Sequence, residues 1–369
     1  MECNYFGICG SCKQFELTYE EQIEEKKKYI KNLFEPLKVN AFETFISPDI
    51  YYRNRAEFRI WHDGDTIHYA MNQIEKKKVV LIDNCPKVVK KIDDLMTPLK
   101  KMIESDEMLR NRLFSIEFLS STTKVLVSML YHKKIDESWD QHAKKLEDKF
   151  GISVIGRSKK VKRVISNDFV IDELNINNNL YQYKIIEGGF SQPNSFVNAN
   201  MIEWATLHVR NPKDLLELYC GHGNFTIPFS KLFKNILATE ISKSSIKSAK
   251  TSCEMNNVEN IEFLRMSVED LTSALKKERK FVRLKDINLD DYNFSHVFVD
   301  PPRAGIDEKS LEFISQFENI IYISCNPVTL KRDIEYLKGR FTIENFAIFD
   351  QFPHTNHIES GAILKKINK

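Results

Sequence analysis

The segment Asp214-Leu-Leu-Glu-Leu-Tyr-Cys-Gly-His-Gly-Asn-Phe-Thr-Ile-Pro-Phe229 decides the fold class of this 369-residue chain. Its first five residues predict a buried strand, and the glycines followed by a new apolar run predict a tight turn that opens a helix. Gly221 and Gly223 allow the backbone to turn sharply and to approach a ligand. From about residue 191 the chain continues in strand–turn–helix units, with further strands at Ile236–Thr239 and Ile320–Ser324, which indicates an α/β domain with a parallel sheet.

Three regions differ in their hydrophobic pattern. Residues 1–40 hold a cysteine-containing start and a charged helix that stops at Pro36. Residues 41–190 alternate apolar and polar residues in short runs, which predicts a smaller α+β domain with an antiparallel sheet and a helix near 88–104. Its predicted strands include Phe58–Trp61, Thr66–Met71 and Lys124–Tyr131. Residues 191–369 form the predicted Rossmann-like domain.

The composition fits a globular protein with a substantial core, since 42% of the residues are hydrophobic and 29% are charged. No apolar run approaches the roughly 18 residues of a membrane span, and the N-terminus lacks the pattern of a signal peptide. We therefore expect a cytoplasmic protein without membrane contact. The seven cysteines do not suggest a disulfide framework in such a chain.

The net charge of +2 does not by itself indicate a nucleic-acid partner. A local basic cluster within residues 157–163 could neutralise phosphates, and it could equally be a solvated strand or loop. Its members are Arg157, Lys159, Lys160, Lys162 and Arg163.

The glycine turn predicts a nucleoside-type pocket. Asn224 follows the turn, and Glu240 ends the next strand, where a carboxylate can accept both hydroxyls of a ribose. The third glycine of the dinucleotide pattern is missing, which disfavours NAD and suits a nucleoside that carries an amino-acid tail. The carboxylate of Glu217 is compatible with a cationic ligand and unhelpful to a diphosphate. A glycine turn without any ligand remains the alternative at this point.

Two later strand ends carry groups that could do chemistry. Asp300 and two prolines follow the apolar strand that starts at His296, and Arg303 stands where methyltransferases of exocyclic amines usually have an aromatic residue. Cys325 follows the next strand; it is either a nucleophile or a buried structural cysteine.

A thiolate, a carboxylate base and a methyl donor together suffice to methylate carbon 5 of uracil. Addition of the thiolate to C6 makes C5 nucleophilic, and a base must remove the C5 proton before the enzyme is expelled. Cys325 supplies the thiol, and the segment Asp350–Glu359 supplies the carboxylate. His354 and His357 in that segment could also bind a metal, but two ligands make a poor site.

At these residues the chain resembles the tRNA (uracil-5-)-methyltransferases, across nearly all of residues 42–369. The segments that carry the resemblance are Tyr52–Asp65, Ser191–Asn194, Leu215–Phe225, Ala238–Glu240, Val299–Arg303, Ser324–Pro327 and Phe349–Thr355. The resemblance implies that Cys325 is the nucleophile and Glu359 the base. It also implies S-adenosylmethionine (SAM) as methyl donor, bound by Gln192, Tyr219, Asn224, Glu240 and Asp300.

The implied substrate is the T-loop uridine of tRNA (conventional position 54), which becomes 5-methyluridine, and a related loop of tmRNA. This uridine must be flipped out of the loop. Residues 52–61 are expected to contribute arginines for phosphates and an aromatic ring for stacking, although Phe58 and Trp61 also suit the core of a strand. We expect the enzyme to act as a monomer on the T-arm.

The first residues depart from the tRNA enzymes. Cys3, Cys9, Cys12 and Cys85 look like the iron–sulfur motif of the related 23S rRNA uracil-5 methyltransferases and predict a [4Fe–4S] cluster, with zinc or no metal as alternatives. Because Cys3 stands so near the start, we expect the small RNA-binding barrel of the rRNA enzymes to be missing.

Two other functions remain open on the sequence: methylation of 23S rRNA, and RNA binding or folding without catalysis. The presence of both Cys325 and Glu359 speaks against the second. A DNA cytosine methyltransferase is disfavoured, since its nucleophile follows a proline, whereas Ser324 precedes Cys325.

Overall fold

Ten α-helices and seventeen strands follow one another in the part of the chain that the computed structural model describes, residues 2–75 and 78–367. The helices α1–α10 are Tyr19–Phe34, Lys90–Glu104, Glu107–Arg110, Glu137–Phe150, Ser195–Leu207, Thr226–Phe229, Lys243–Met255, Val268–Leu275, Glu308–Ile314 and Pro327–Leu337. The strands β1–β17 are Glu43–Phe45, Arg55–Asp63, Thr66–Asn72, Val79–Ile82, Leu113–Ser120, Val125–Tyr131, Ser153–Ser158, Val161–Val164, Phe169–Ile176, Asn179–Ile186, Asp214–Leu218, Asn235–Thr239, Ile261–Leu264, Phe294–Val299, Asn319–Ser324, Phe341–Phe349 and Glu359–Lys366. Short 3₁₀ helices lie at Glu35–Leu37, Val282–Leu284 and Leu289–Asp291.

An eight-stranded sheet in the order β1-β16-β17-β15-β14-β11-β12-β13 dominates the C-terminal half. The five strands from β15 to β13 pair in parallel, as the sequence predicted. Strand β17 was not foreseen: it runs antiparallel to both of its neighbours, β15 and β16. The strand order reverses at β11, which pairs with β12 on one side and β14 on the other, and such a switch point creates a ligand crevice at the carboxyl ends of the strands.

Hydrophobic clusters cover both faces of this sheet, which explains why its strands are apolar throughout. Leu215 of β11 points into one cluster and the next residue, Leu216, into the other. A strand that is buried on both faces reads as a continuous apolar run instead of an alternating one.

A second sheet has seven strands in the order β4-β3-β2-β5-β6-β7-β8, antiparallel except between β6 and β7. It packs with α2 and α4 around a core of its own that contains Phe58 and Trp139. The helix predicted near 88–104 is α2. Phe58 is a core residue, as one of the two interpretations of this segment predicted. Trp61 is 50% exposed, so the interpretation of Trp61 as a core residue is wrong. Strands β9 and β10 form a separate hairpin that packs against α7 and α5 beside the large sheet.

The N-terminal elements also join the large sheet. Helix α1 starts with a capping box between Thr18 and Glu21 and packs on α10. Strand β1 pairs in parallel with β16, although it lies within the range 41–190. The division into residues 1–40, 41–190 and 191–369 stays a prediction. None of the helices within the described ranges has the length and apolar character that a crossing of the bilayer requires.

Gly361 in the middle of β17 leads to a prediction about stability. A Cβ atom built on Gly361 would lie 2.5 Å from the ring of Trp204, which is buried and donates from Nε1 to Glu43 over 2.7 Å. Gly361→Ala should therefore lower the free energy of unfolding by roughly 1–3 kcal/mol, measured by urea denaturation. Combining it with Trp204→Phe should recover part of this loss, because the smaller ring leaves room. An unchanged unfolding midpoint in Gly361→Ala would contradict this packing.

Candidate active site

The register between β15 and β17 brings Cys325 and Glu359 together. Ser324 pairs with Ser360 at the end of this ladder, so Cys325, which follows β15, and Glu359, which opens β17, lie side by side. Both line one pocket of about 400 Å³. This volume is in the range of small-molecule sites and admits a flat heterocycle.

The rest of the pocket wall combines aromatic rings with cations. It includes Arg53, Arg55, Phe190, Gln192, Arg303, Phe352 and His357. The ring of Phe190 is 70% exposed at the pocket edge, and the guanidinium of Arg53 lies 5.8 Å from the centre of the Phe352 ring. Rings of this kind can stack on a base, and the arginines can meet phosphate or carbonyl oxygens.

Burial and neighbouring charges tune the acid–base groups of the pocket. Burial raises the pKa of the Cys325 thiol to about 11, with smaller contributions from the negative charges of Glu359 and Asp300, while the positive charge of Arg303 lowers it. Burial raises the pKa of Glu359 to about 8, and the charge of Asp300 adds to this. Burial alone raises the pKa of Asp300 to about 7. The protein without ligands therefore holds these carboxyl groups partly or mainly protonated at neutral pH.

The switch-point crevice adjoins this pocket. Leu218 of β11 pairs with Val299 of β14, so Tyr219 and Asp300 leave the sheet next to each other. Tyr219 has φ +62°, in the left-handed region that non-glycine residues rarely adopt, and Gly223 has φ +87°. This local strain is of a kind that concentrates at ligand sites.

Other predicted SAM residues surround the same turn. Glu240 accepts hydrogen bonds from the backbone N–H groups of Gly221 (3.2 Å) and Ser242 (2.8 Å), which fixes its carboxylate beside the glycine turn. Asn224 exchanges two side-chain hydrogen bonds of 2.8 Å with Asn198. The structure therefore brings Tyr219, Asn224, Glu240 and Asp300 to one crevice, and puts Gln192 in the adjoining pocket. Their roles stay predictions.

Glu217 does not offer an open charge to a ligand. Its side chain is 1% exposed, and one carboxyl oxygen, Oε2, has no hydrogen-bond partner among the described residues. Burial, together with the charge of Asp300, raises the pKa of Glu217 well above its usual range. The carboxyl group of Glu217 thus lies buried in β11, and its compatibility with a cationic ligand stays a prediction.

A groove of about 580 Å³ continues from the pocket across the second sheet. It shares Arg53, Arg303, Phe352 and His357 with the pocket and extends along Lys13 and Lys87. The two spaces adjoin along these shared residues; the two arginines line both spaces, and the two lysines line the groove.

Cys3, Cys9, Cys12 and Cys85 line one small cavity of about 20 Å³ next to that groove. All four are free thiols. Within residues 2–75 and 78–367, however, no group of three or more His, Cys, Asp or Glu side chains is arranged to hold a metal ion. The four cysteines that are predicted to bind a metal thus lie around one cavity, but their side chains are not arranged as a metal site.

Most of the basic cluster at 157–163 serves to pair carboxylates. Arg157 and Lys162 both contact Glu187, and Arg163 forms an ion pair with Asp140. These contacts favour the structural interpretation of this cluster over phosphate binding.

The two histidines near the C-terminus have separate roles. His354 is 2% exposed, and its ring nitrogens contact the side chain of Gln22 and the backbone oxygen of Asp49. His357 lines the pocket, and burial lowers its pKa. They do not act as a pair of metal ligands among the described residues.

Sequence reasoning missed two aromatic residues of the pocket. Phe190 and Phe352 come from distant segments, and only contact in the fold shows that they face one space together with Arg55, which belongs to the arginines expected from residues 52–61. For Phe190 a signal existed, since it directly precedes the matching segment Ser191–Asn194.

Comparison with known proteins identifies the family. A family model described as tRNA (Uracil-5-)-methyltransferase matches residues 18–367. The chain belongs to the tRNA (uracil-5-)-methyltransferase family. It is 51% identical to the tRNA/tmRNA (uracil-C(5))-methyltransferase of Aliarcobacter butzleri, with all of both chains covered. It is 47% identical to the enzyme of that name from Neisseria meningitidis serogroup C, over 94% of this chain and 97% of the relative.

A solved structure supports the fold of this family member. The Pyrococcus abyssi tRNA (uracil-54, C5)-methyltransferase in complex with S-adenosyl-L-homocysteine superposes with a TM-score of 0.74 at 24% identity. The match covers 95% of this chain and 84% of the other. The predicted α/β fold with a Rossmann-like methyltransferase domain is thereby confirmed.

The charges around Cys325 predict how its alkylation depends on pH. Glu359→Gln removes a negative charge that exists only above the Glu359 pKa of about 8. Iodoacetamide should therefore label Cys325 about threefold faster or more in this variant above pH 8, and at the wild-type rate below about pH 7. Arg303→Met should slow the labelling, because it removes the positive charge. Peptide mass spectrometry measures the rates, with Cys253 in the same digest as control.

Equal rates for Glu359→Gln and the wild type at every pH would mean that the two side chains do not interact. The proximity on which the site depends would then be refuted.

Proposed function

We propose that this protein methylates C5 of the T-loop uridine in tRNA, at conventional position 54, with SAM as donor and a cysteine as nucleophile. The observation that carries the proposal is the convergence of Cys325 and Glu359 on one pocket beside the switch-point crevice. Membership of the family and the names of relatives about half identical over their full length support the substrate.

In the proposed reaction the Cys325 thiolate adds to C6 of the uracil, which opens the C5–C6 double bond and places the electrons on C5 and O4. SAM supplies the methyl group to C5 and leaves as S-adenosylhomocysteine. The Glu359 carboxylate then takes the C5 proton, the double bond re-forms, and the thiolate leaves. The cysteine and the carboxylate return to their starting states after release of that proton.

The charges of the site suit a cationic donor. Asp300 and Glu359 have raised pKa values in the protein alone, and a sulfonium cation beside them would lower both values and ionise the base. Arg303 stabilises the thiolate form of Cys325. The SAM contacts we propose are Gln192, Tyr219, Asn224, Glu240 and Asp300.

The pocket and groove suit a flipped nucleotide and its neighbours. Flipping a base costs a few kcal/mol, which stacking on exposed rings and phosphate contacts must offset. Phe190 and Phe352 supply rings, and Arg53, Arg303 and Lys13 supply cations along the groove. We propose that the T-arm binds here.

We further propose that the enzyme acts as a monomer in the cytoplasm, where tRNA is found, and that it also modifies the similar loop of tmRNA. The tmRNA proposal is supported by the relatives, whose names include this substrate. Methylation of 23S rRNA is the second candidate, because the four cysteines, whose sequence motif resembles that of the rRNA enzymes, line one cavity.

Methylation of purified tRNA and 23S rRNA with labelled donor tests the substrate. We expect label in tRNA and none in rRNA. Mapping of the modified base should place the label on one T-loop uridine. Cys325→Ala should abolish the activity, at least about 1,000-fold, because it removes the thiol that is proposed to activate C5, and it should leave RNA binding intact. Label in rRNA alone would favour the second candidate, and full activity of Cys325→Ala would refute the proposed chemistry.

The variant Glu359→Gln distinguishes the role of the base from the role of the nucleophile. This variant should form the C6 adduct and transfer the methyl group but not eliminate, so a covalent protein–RNA band should persist on a denaturing gel. Cys325→Ala is the matched control and should give no band.

We also propose that Cys3, Cys9, Cys12 and Cys85 bind a [4Fe–4S] cluster. Four thiols at one cavity support it. The small cavity volume means that side chains must move for the cluster to enter. The cluster would stabilise the fold and would take no part in the methyl transfer.

Anaerobic purification tests the cluster. The protein should be brown and contain about four iron atoms per chain. Cys85→Ser should lose colour and iron, while Cys253→Ser, a buried cysteine elsewhere, should keep both. A colourless protein loaded with zinc would contradict the cluster.

A further inference from the structure

Gln351 lies directly behind Gln192, a glutamine of the catalytic pocket. The side chain of Gln351 is fully buried at 0% exposure. Its Nε2 atom lies 3.0 Å from Oε1 of Gln192 and 3.4 Å from Sδ of Met201. Gln192 itself lines the pocket together with Cys325 and Glu359.

Met201 decides which way the amide of Gln351 faces. A thioether sulfur can only accept a hydrogen bond, so the amide end that faces it must be the NH₂ group. The backbone of Gln351 is fixed as well, because its oxygen accepts from Nδ2 of Asn194 over 3.4 Å. The NH₂ group of Gln351 is thus held towards Gln192.

This orientation determines the orientation of Gln192. Because Oε1 of Gln192 accepts from Gln351, the two N–H bonds of Gln192 are left for other partners. The backbone oxygen of Gln192 accepts from Nδ2 of Asn54 over 3.4 Å, which holds the residue at the pocket wall. The free donors of Gln192 are then available to a ligand in the pocket.

We propose that Gln351 is a positioning residue that fixes Gln192 as a hydrogen-bond donor to a ligand oxygen in the catalytic pocket. This inference rests on the proposed function. Two ligand oxygens have the required chemistry: the carboxylate of the methionine part of SAM, and the carbonyl at C4 of uracil. Cytosine carries an amino group at C4, which would place a hydrogen-bond donor against the NH₂ group of Gln192. If the acceptor is the C4 carbonyl, Gln192 therefore also favours uracil over cytosine.

Two substitutions at the same position test the proposal. Gln351→Met removes the donor at similar size, so the Gln192 amide can rotate and kcat/KM should fall about tenfold at every pH. Gln351→Glu donates while its carboxyl is protonated but can only accept once ionised. Its activity relative to the wild type should therefore fall by roughly tenfold as the pH rises through the ionisation of this carboxyl group, because deprotonation reverses the Gln192 amide.

Two further measurements identify the oxygen. Calorimetry of S-adenosylhomocysteine with each variant, without RNA, should show weaker binding if the carboxylate is the acceptor. Unchanged binding, with reduced preference for a T-stem-loop containing uridine over one containing cytidine, would assign the C4 carbonyl.

The proposal is overturned if Gln351→Met and Gln351→Glu retain wild-type activity, or if both lose activity by the same factor at all pH values. The second result would be the signature of a purely structural residue, and thermal unfolding of both variants would show the matching loss of stability. An inactive wild type would instead refute the proposed function.

Discussion

The antiparallel strand β17, inserted between β15 and β16, is the constraint on which the candidate active site depends. Parallel strands end at a common edge of the sheet, and a strand that runs the other way starts at that edge. Glu359, the first residue of β17, therefore meets Cys325, which follows the end of β15. The six residues from Glu359 to Leu364 are buried, so a slip by one residue would turn every side chain to the opposite face. The hydrophobic packing of the sheet thus fixes the geometry of nucleophile and base.

The loop between β16 and β17 is held by the N-terminal helix. Nζ of Lys26 lies 2.6 Å from the Asp350 carboxylate with both side chains buried, and Tyr19 donates to the same carboxylate over 2.8 Å. Removing one partner of such a pair leaves an uncompensated buried charge, so the pair specifies where the loop starts. The backbone oxygen of His354 in this loop accepts from the N–H of Lys13, next to the cysteine segment. The same loop therefore leads into Glu359, the proposed base, and contacts the cysteine segment through Lys13.

The sequence predicted the parts of this protein that depend on local pattern. The buried strand, the glycine turn and the polar groups at strand ends follow from residue order, and the structure brings them to one crevice and one pocket. The direction of β17 could not be predicted, because a buried apolar strand reads the same in either direction. The contact of Gln351 with Gln192 and the pairing of Arg157 with Glu187 join segments far apart in the chain. Neither contact has a periodic signal in the sequence.

The buried carboxyl groups connect the fold with the choice of donor. Glu217, Asp300 and Glu359 all have raised pKa values, and Arg303 is the cation that acts on Cys325 beside them. Low-dielectric surroundings disfavour several negative charges at close range, so burial shifts these groups towards their protonated forms in the free protein. A cationic ligand compensates these charges and shifts the carboxyls towards their ionised forms. The same burial that stabilises the sheet therefore ties the ionisation of the proposed base to the arrival of a positively charged methyl donor.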